Sequence, residues 1–295
     1  MTRTRRYNLC LLLTLPLFAV RLYEIVSGEV ESPSGFLAHG AGPVHWLSLA
    51  LSIAGAAYLA CSLRGFDPAA DADAKTPALR LCLASAALAT AGASIAQLIN
   101  IFSTHELAQF FMTRAQLTAL GIMIDGFRLA ALCALVGLFA AAWFGLSAIK
   151  GELNSSPALS LMPPAWFALR AVVCFARGPI NANNTVTVSE IAACMVMASA
   201  CAALSRTAAL GEQGKAARRL VCFSALGLYF AVGFALPNAY FHLKTNSAHD
   251  ALFTLALALA ALCAALFAKA ALAGDKPVTE QASEERVGIN QTEQG

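Results

Sequence analysis

Leu9-Cys10-Leu11-Leu12-Leu13-Thr14-Leu15-Pro16-Leu17-Phe18-Ala19-Val20-Arg21-Leu22-Tyr23-Glu24 is an apolar segment with two charges set inside it. Arg170 lies in a similar segment near the middle of the chain, and Glu190 in the next one. A charge at the centre of a membrane helix costs about 2.5–3.5 kcal/mol on insertion scales, so it is rarely placed there without a partner or a task. The depth of these four side chains is therefore the first thing to explain.

The surrounding composition names the solvent. Of 295 residues, 58% are hydrophobic and 13% charged, and the mean hydropathy is +0.65. A soluble domain carries about 25% charged residues. A spanning helix needs about 20 apolar residues, and segments of that kind recur at 8–26, 44–63, 79–102, 128–149, 159–177, 185–205, 219–237 and 250–271. The reading is an all-α polytopic integral membrane bundle of about eight transmembrane helices over residues 1–272, with a disordered tail at 273–295. The implied partner is the lipid bilayer, with other membrane proteins as further candidates. The net charge of +3 has no basic stripe with interleaved aromatics, so nucleic acid is not expected. The first segment follows Thr2-Arg3-Thr4-Arg5-Arg6 and lacks a small-x-small cleavage site. It reads as a retained anchor, with a cleaved signal peptide as the alternative.

Lys and Arg set the expected orientation. With an even helix count, one side holds Arg3, Arg5, Arg6, Arg64, Lys75, Arg80, Lys150, Arg206, Lys215, Arg218, Arg219, Lys269, Lys276 and Arg286. The other holds Arg114, Arg128, Arg177 and Lys244. Both termini are accordingly expected in the cytoplasm. On the opposite side, Gly28 to Pro43 is rich in glycine and proline. Ser103 to Phe127 spaces Leu107, Phe110, Phe111, Leu117 and Leu120 as an interfacial helix would.

Two four-helix halves, 1–150 and 151–272, echo each other. Phe18-Ala19-Val20-Arg21 resembles Phe167-Ala168-Leu169-Arg170, and Leu129-Ala130-Ala131-Leu132-Cys133-Ala134 returns as Leu259-Ala260-Ala261-Leu262-Cys263-Ala264. A duplication of four helices gives parallel repeats; alternatively, Ala/Leu-rich helices match by chance.

In depth, the polar groups favour the side away from the termini. At 1.5 Å per residue, Arg21 and Arg170 lie roughly 9–10 Å below that surface, with Glu190 level with them. Glu24, Gln97 and Asn100 are in the same outer part, and His45, Asp125, Arg128, Arg177, Asn238, His242 and Asp250 read as its caps. Arg21, Glu24, Arg170, Glu190, Gln97 and Asn100 form the candidate cluster. Two readings are open. The charges hold helices together as ion pairs, or they line a water-filled pocket that meets a ligand. Two positive and two negative charges cancel, which suits the first.

Catalytic signatures are missing. His105-Glu106-Leu107-Ala108-Gln109 ends in Gln where a zinc-protease motif needs His, and no GxSxG elbow or phosphate-binding glycine loop occurs. The nine cysteines have no CxxC spacing and the five histidines are scattered, so no metal or cofactor is expected. Pro16, Pro163 and Pro164 fall in the first and fifth helices, where proline kinks or starts a helix.

Ala19-Val20-Arg21-Leu22-Tyr23 with a loop closing in Ser34-Gly35-Phe36, and Pro164 to Arg177 followed by Thr187-Val188-Ser189-Glu190, resemble an uncharacterised multi-pass membrane protein family of clostridia-type bacteria. That family has no assigned activity. The resemblance implies a bacterial plasma membrane and transfers no site residue. The expected function is a non-enzymatic sensor or membrane-assembly component with an outward-facing polar cluster. The alternative is a secondary transporter of a small solute, whose weakness is the lack of polar groups in the cytoplasmic half.

Overall fold

The computed structural model describes residues 3–31, 34–38, 42–63, 76–102, 126–150, 153, 156–177, 184–210 and 215–273. Their helices are α1 (Arg3–Leu12), α2 (Thr14–Val26), α3 (Pro43–Leu63), α4 (Pro77–Phe102), α5 (Gly126–Lys150), α6 (Pro157–Ser160), α7 (Met162–Arg177), α8 (Thr185–Leu210), α9 (Lys215–Leu228), a π-helical stretch (Tyr229–Ala235), α10 (Asn238–Lys244) and α11 (Ala248–Ala273). Among these residues, eight spans are long and apolar enough to cross a membrane. The first joins α1 to α2, the fifth α6 to α7, and the seventh α9 to α10 through the π-helical stretch. The chain is an all-α multi-pass membrane bundle. The expected interfacial helix between Ser103 and Phe127 and the tail from Gly274 lie outside the described residues, apart from Gly126 and Phe127, which open α5.

Proline decides where the interruptions fall. A proline has no N–H for the carbonyl four residues before it, and its ring crowds that carbonyl. Pro16 stands four residues after Leu12, where α1 ends; Pro164 stands four after Ser160, where α6 ends. Both prolines then sit in the first turn of the next helix, where a missing N–H costs nothing. The freed carbonyl of Ser160 takes the hydroxyl of Ser205 from α8 instead. At membrane depth such a carbonyl must find a partner inside the protein. Pro237 is absorbed differently. The preceding turns widen to π geometry, and Leu236 N–H reaches back to Ala231 at 2.8 Å. The seventh span therefore runs past Pro237 to Lys244, where the apolar pattern ends near residue 237.

The eighth span is the most enclosed, and the second the least. Alanines 256, 258, 260, 261, 264, 265, 268 and 271 of α11 are buried. Small side chains let backbones approach closely where lipid supplies no hydrophobic drive. Around α11 stand α4, α8 and the seventh span, while α3 leans mainly on the first and seventh spans among the described residues. Trp46, Leu47, Ile53 and Tyr58 of α3 are exposed, as a lipid-facing surface requires. Tyr7 ties the two ends of the chain together, sharing a hydrogen bond with Ser224 at 2.9 Å and donating to the Ala265 carbonyl at 3.5 Å. The start of the first span and the later part of the eighth thus lie at one end of the bundle.

A two-fold exchange of halves is only partly reflected in the packing. The third span packs on the fourth and the seventh on the eighth, as the exchange requires. The broad face between the third and eighth spans has no comparable partner between the seventh and fourth among the described residues.

Opposite the termini, the loop after α2 folds back over the bundle. Gly28 and Gly35 have φ of +83° and +74°, a region open to glycine. Between them Glu31 N–H donates to Phe36 at 2.7 Å and Ala38 N–H to Glu29 at 2.8 Å. Phe36 bridges Asn184. Val30 and Leu37 pack with Ile25, Val186 and Phe241 as a small apolar cluster of their own. This end of the bundle is therefore roofed by its own loop.

Candidate functional site

Arg21 is fully buried on α2, one turn before Glu24, which is also fully buried. The helix brings them onto one face, and Arg21 Nη1 donates to Glu24 Oε2 at 2.7 Å. His45, at the start of α3, donates from Nδ1 to Glu24 Oε1 at 2.9 Å. Arg21 Nη2 donates to Asn238 Oδ1 at 3.2 Å, and its guanidinium lies 5.4 Å from the ring centre of Phe234. The π-helical stretch and Pro237 deliver Phe234 and Asn238 to this point.

Asn238 carries the network onward. Its Nδ2 donates to Ser189 Oγ at 2.8 Å, to the Val186 carbonyl at 3.2 Å and to Glu190 Oε1 at 3.4 Å. His242, one turn along α10, donates from Nε2 to Glu190 Oε1 at 2.5 Å. An unbroken chain of polar contacts thus runs His45, Glu24, Arg21, Asn238, Glu190, His242.

Arg170 forms a second centre. Its Nη2 is bound to Asp250 on α11, its Nη1 donates to Gln97 Oε1 at 3.5 Å, and it stacks 4.3 Å from the ring centre of Phe253. Gln97 is fixed by donating to the Ala130 carbonyl at 3.1 Å. His249 lies 3.3 Å from Asp250 Oδ2 and accepts from Asn100 Nδ2 at 3.2 Å. A guanidinium face over an aromatic ring adds about 0.5–2 kcal/mol when desolvated.

Between the centres a cavity of about 340 Å³ opens at this end of the bundle. Glu190, His242, Asp250 and Cys174 lie among its lining, with Thr187, Thr245 and Ser247 as hydroxyl groups and Ser34 and Gly35 from the roofing loop. Asn184 shapes its rim by capping α8, its Oδ1 accepting the Thr187 N–H at 3.1 Å. Pockets that take small ligands start at about 300 Å³.

All six candidate residues lie in these two centres, but the four charges do not join helices by pairing with one another. Arg21 and Glu24 join each other, and neither bonds directly to Arg170 or Glu190; Asn238 bridges Arg21 to Glu190. Arg170 takes Asp250, a residue read as a cap, because α11 begins only at Ala248 and brings Asp250 level with Arg170. His242 was likewise placed at the surface. It is buried because the seventh span continues beyond Pro237. The scattered histidines converge too: His45, His242 and His249 each face one carboxylate. With Asp250 included, the described set holds two arginines and three carboxylates, so it does not cancel unless a histidine is protonated. A carboxylate or histidine one turn from a span end, on the same side as a buried arginine, was the available signal.

Polar groups also continue inward. Thr90 and Ser94 lie seven and three residues before Gln97 on α4, and Trp166 one turn before Arg170. Thr90 Oγ1, Ser94 Oγ and Trp166 Nε1 are buried with no hydrogen-bond partner among the described residues. A Cβ added at Gly137 would fall 2.6 Å from Trp166 Nε1, so the bare backbone of α5 makes room for the indole.

Among the described residues no group of three or more His, Cys, Asp or Glu is arranged to hold a metal ion. No family model, curated protein or solved structure matches this chain.

Proposed function

We propose that the chain is a non-enzymatic receptor in a bacterial plasma membrane that takes a small polar solute into the cavity from the extracytoplasmic side, with both termini in the cytoplasm. The observation that carries this reading is the cavity of about 340 Å³ with the Glu190–His242 pair in its lining. Ionisable groups at membrane depth that face a water-accessible cavity mark solute sites by default. The orientation rests on the excess of Lys and Arg at the end that carries the termini. A sensor role fits a cavity whose lining belongs to one end of the bundle.

Cysteine labelling tests this. Single variants Thr187→Cys and Thr245→Cys, treated on intact cells with a membrane-impermeant thiol reagent, are expected to be modified. Ala72→Cys and Glu212→Cys are expected to stay unmodified until the cells are opened. Peptide mass spectrometry keeps the nine native cysteines in place by reading each site separately. Modification of position 72 from outside would reverse the orientation. Failure to modify 187 and 245 from either side would remove the cavity as a solute site.

A secondary transporter is the second reading, favoured by the breaks before Thr14 and Met162 and by the π-helical stretch. Interrupted helices at membrane depth recur where transporters bind their solutes. Thr90, Ser94 and Trp166, whose polar atoms have no partner among the described residues, point the same way. Reagent reaching Arg21→Cys or Arg170→Cys from the cytoplasm would favour transport over sensing.

A further inference from the structure

Glu190 differs from the other two carboxylates of the network. Glu24 is held by Arg21, and Asp250 by Arg170. Glu190 receives no guanidinium bond among the described residues. Its Oε1 takes His242 and Asn238, while its Oε2 meets the thiol of Cys174 at 3.9 Å, a weak donor. Only 4% of Glu190 is exposed. A carboxylate this deep is costly unless a charge or strong donors answer it.

The cavity around it has the matching character. Its described lining holds two carboxylates, Glu190 and Asp250, one imidazole, His242, whose Nε2 is committed to Glu190, and no Lys or Arg. Both buried guanidinium groups lie outside its described lining and are already bonded to Glu24 and Asp250. Thr187, Thr245 and Ser247 present oxygens that accept hydrogen bonds, and Phe241 supplies an aromatic ring. Thr245 Oγ1 spends its own proton on the carbonyls of Phe241 and His242 at 3.1 Å, which leaves its lone pairs as acceptors. An anion would meet two carboxylates here, and an imidazole and a guanidinium that are already bonded to them. A cation would meet a buried carboxylate and acceptors for N–H groups, with the Phe241 ring among its walls.

We propose that the cavity takes a small organic cation of the ammonium type, with Glu190 as its counter-ion. The proposal rests on the solute-receptor reading above and narrows it to one ligand class.

The test uses the full chain in lipid nanodiscs carrying Thr187→Cys, with modification rate and thermal midpoint as readouts. The probes are methylammonium chloride and tetramethylammonium chloride, with sodium acetate and urea as anionic and neutral comparators. At least one ammonium probe is expected to slow modification saturably and raise the midpoint. Glu190→Gln is expected to weaken that effect by about tenfold or more, since a charge-assisted contact of about 1.5–3 kcal/mol is lost. Glu190→Asp keeps the charge and should retain most of it, which separates charge from folding. Protection by acetate or urea equal to that by the cations would overturn the cation class and leave the cavity a solute site. No protection by either cation, or equal protection in Glu190→Gln, would also overturn it.

Discussion

The two buried arginines are built from the same materials and differ in where their partners come from. Each follows a proline-marked helix break in a span that starts from the terminal end. Each stacks near a phenylalanine, Phe234 for Arg21 and Phe253 for Arg170. Each leaves its Nε without a partner among the described residues. Arg21 finds its carboxylate three residues away on its own helix, whereas Arg170 finds Asp250 eighty residues away on α11. The first pair exists as soon as α2 forms. The second exists only when the fifth and eighth spans have docked, so it reports and enforces tertiary assembly. A single type of buried cation can therefore be a local feature in one place and a clamp between helices in another.

The largest effect is expected at the clamp. Arg170→Met should destabilise the bundle by about 3–5 kcal/mol, the cost of leaving a buried carboxylate without its partner. Asp250 would be the orphan, so adding Asp250→Asn should recover a substantial part of the loss, while adding Glu190→Gln should recover little. Unfolding in increasing SDS mole fraction, followed by circular dichroism, measures this. Rescue by Glu190→Gln and none by Asp250→Asn would invert the pairing described here.

Arg21→Met should cost less, about 1–3 kcal/mol. Glu24 keeps a donor in His45 at 2.9 Å. The comparison breaks if Arg21→Met is as damaging as Arg170→Met in the same unfolding assay. It sharpens if His45→Leu, mild alone, makes Arg21→Met as severe.

This contrast also marks what was legible in the sequence. The eight spans were readable because lipid demands long apolar runs, and the end that gathers the polar groups was readable from helix direction alone. Arg21 with Glu24 could be read because i and i+3 share a helix face. Asp250 could not be matched to Arg170, because which helices become neighbours depends on small residues of α11 spread over many turns. His242 was misplaced for a different reason. Hydropathy and Pro237 both suggested that the seventh span stops, yet the wider turns of Tyr229–Ala235 absorb the proline and carry the helix on. Charge counting failed because Asp250 reads as a cap: two arginines and two glutamates cancel until it is counted.

The smallest expected effect concerns the link between the centres. Asn238 accepts from Arg21 with its carbonyl oxygen and donates to Glu190 with its amide nitrogen. Each contact orients the amide for the other, since reversing the side chain would lose both. Arg21 and Glu190 should therefore be coupled although they make no direct bond. A double-mutant cycle of Arg21→Met and Glu190→Gln is expected to show an interaction of about 0.5–1 kcal/mol, at the low end for residues sharing a network. The same cycle in an Asn238→Leu background should fall to within about 0.3–0.5 kcal/mol of additivity, the range for independent sites. The sequence separation of 217 between Arg21 and Asn238 makes a local chain effect an inadequate explanation. Coupling that persists without Asn238 would mean that the two centres sense each other through their charges alone. The amide would then be only one contact among many.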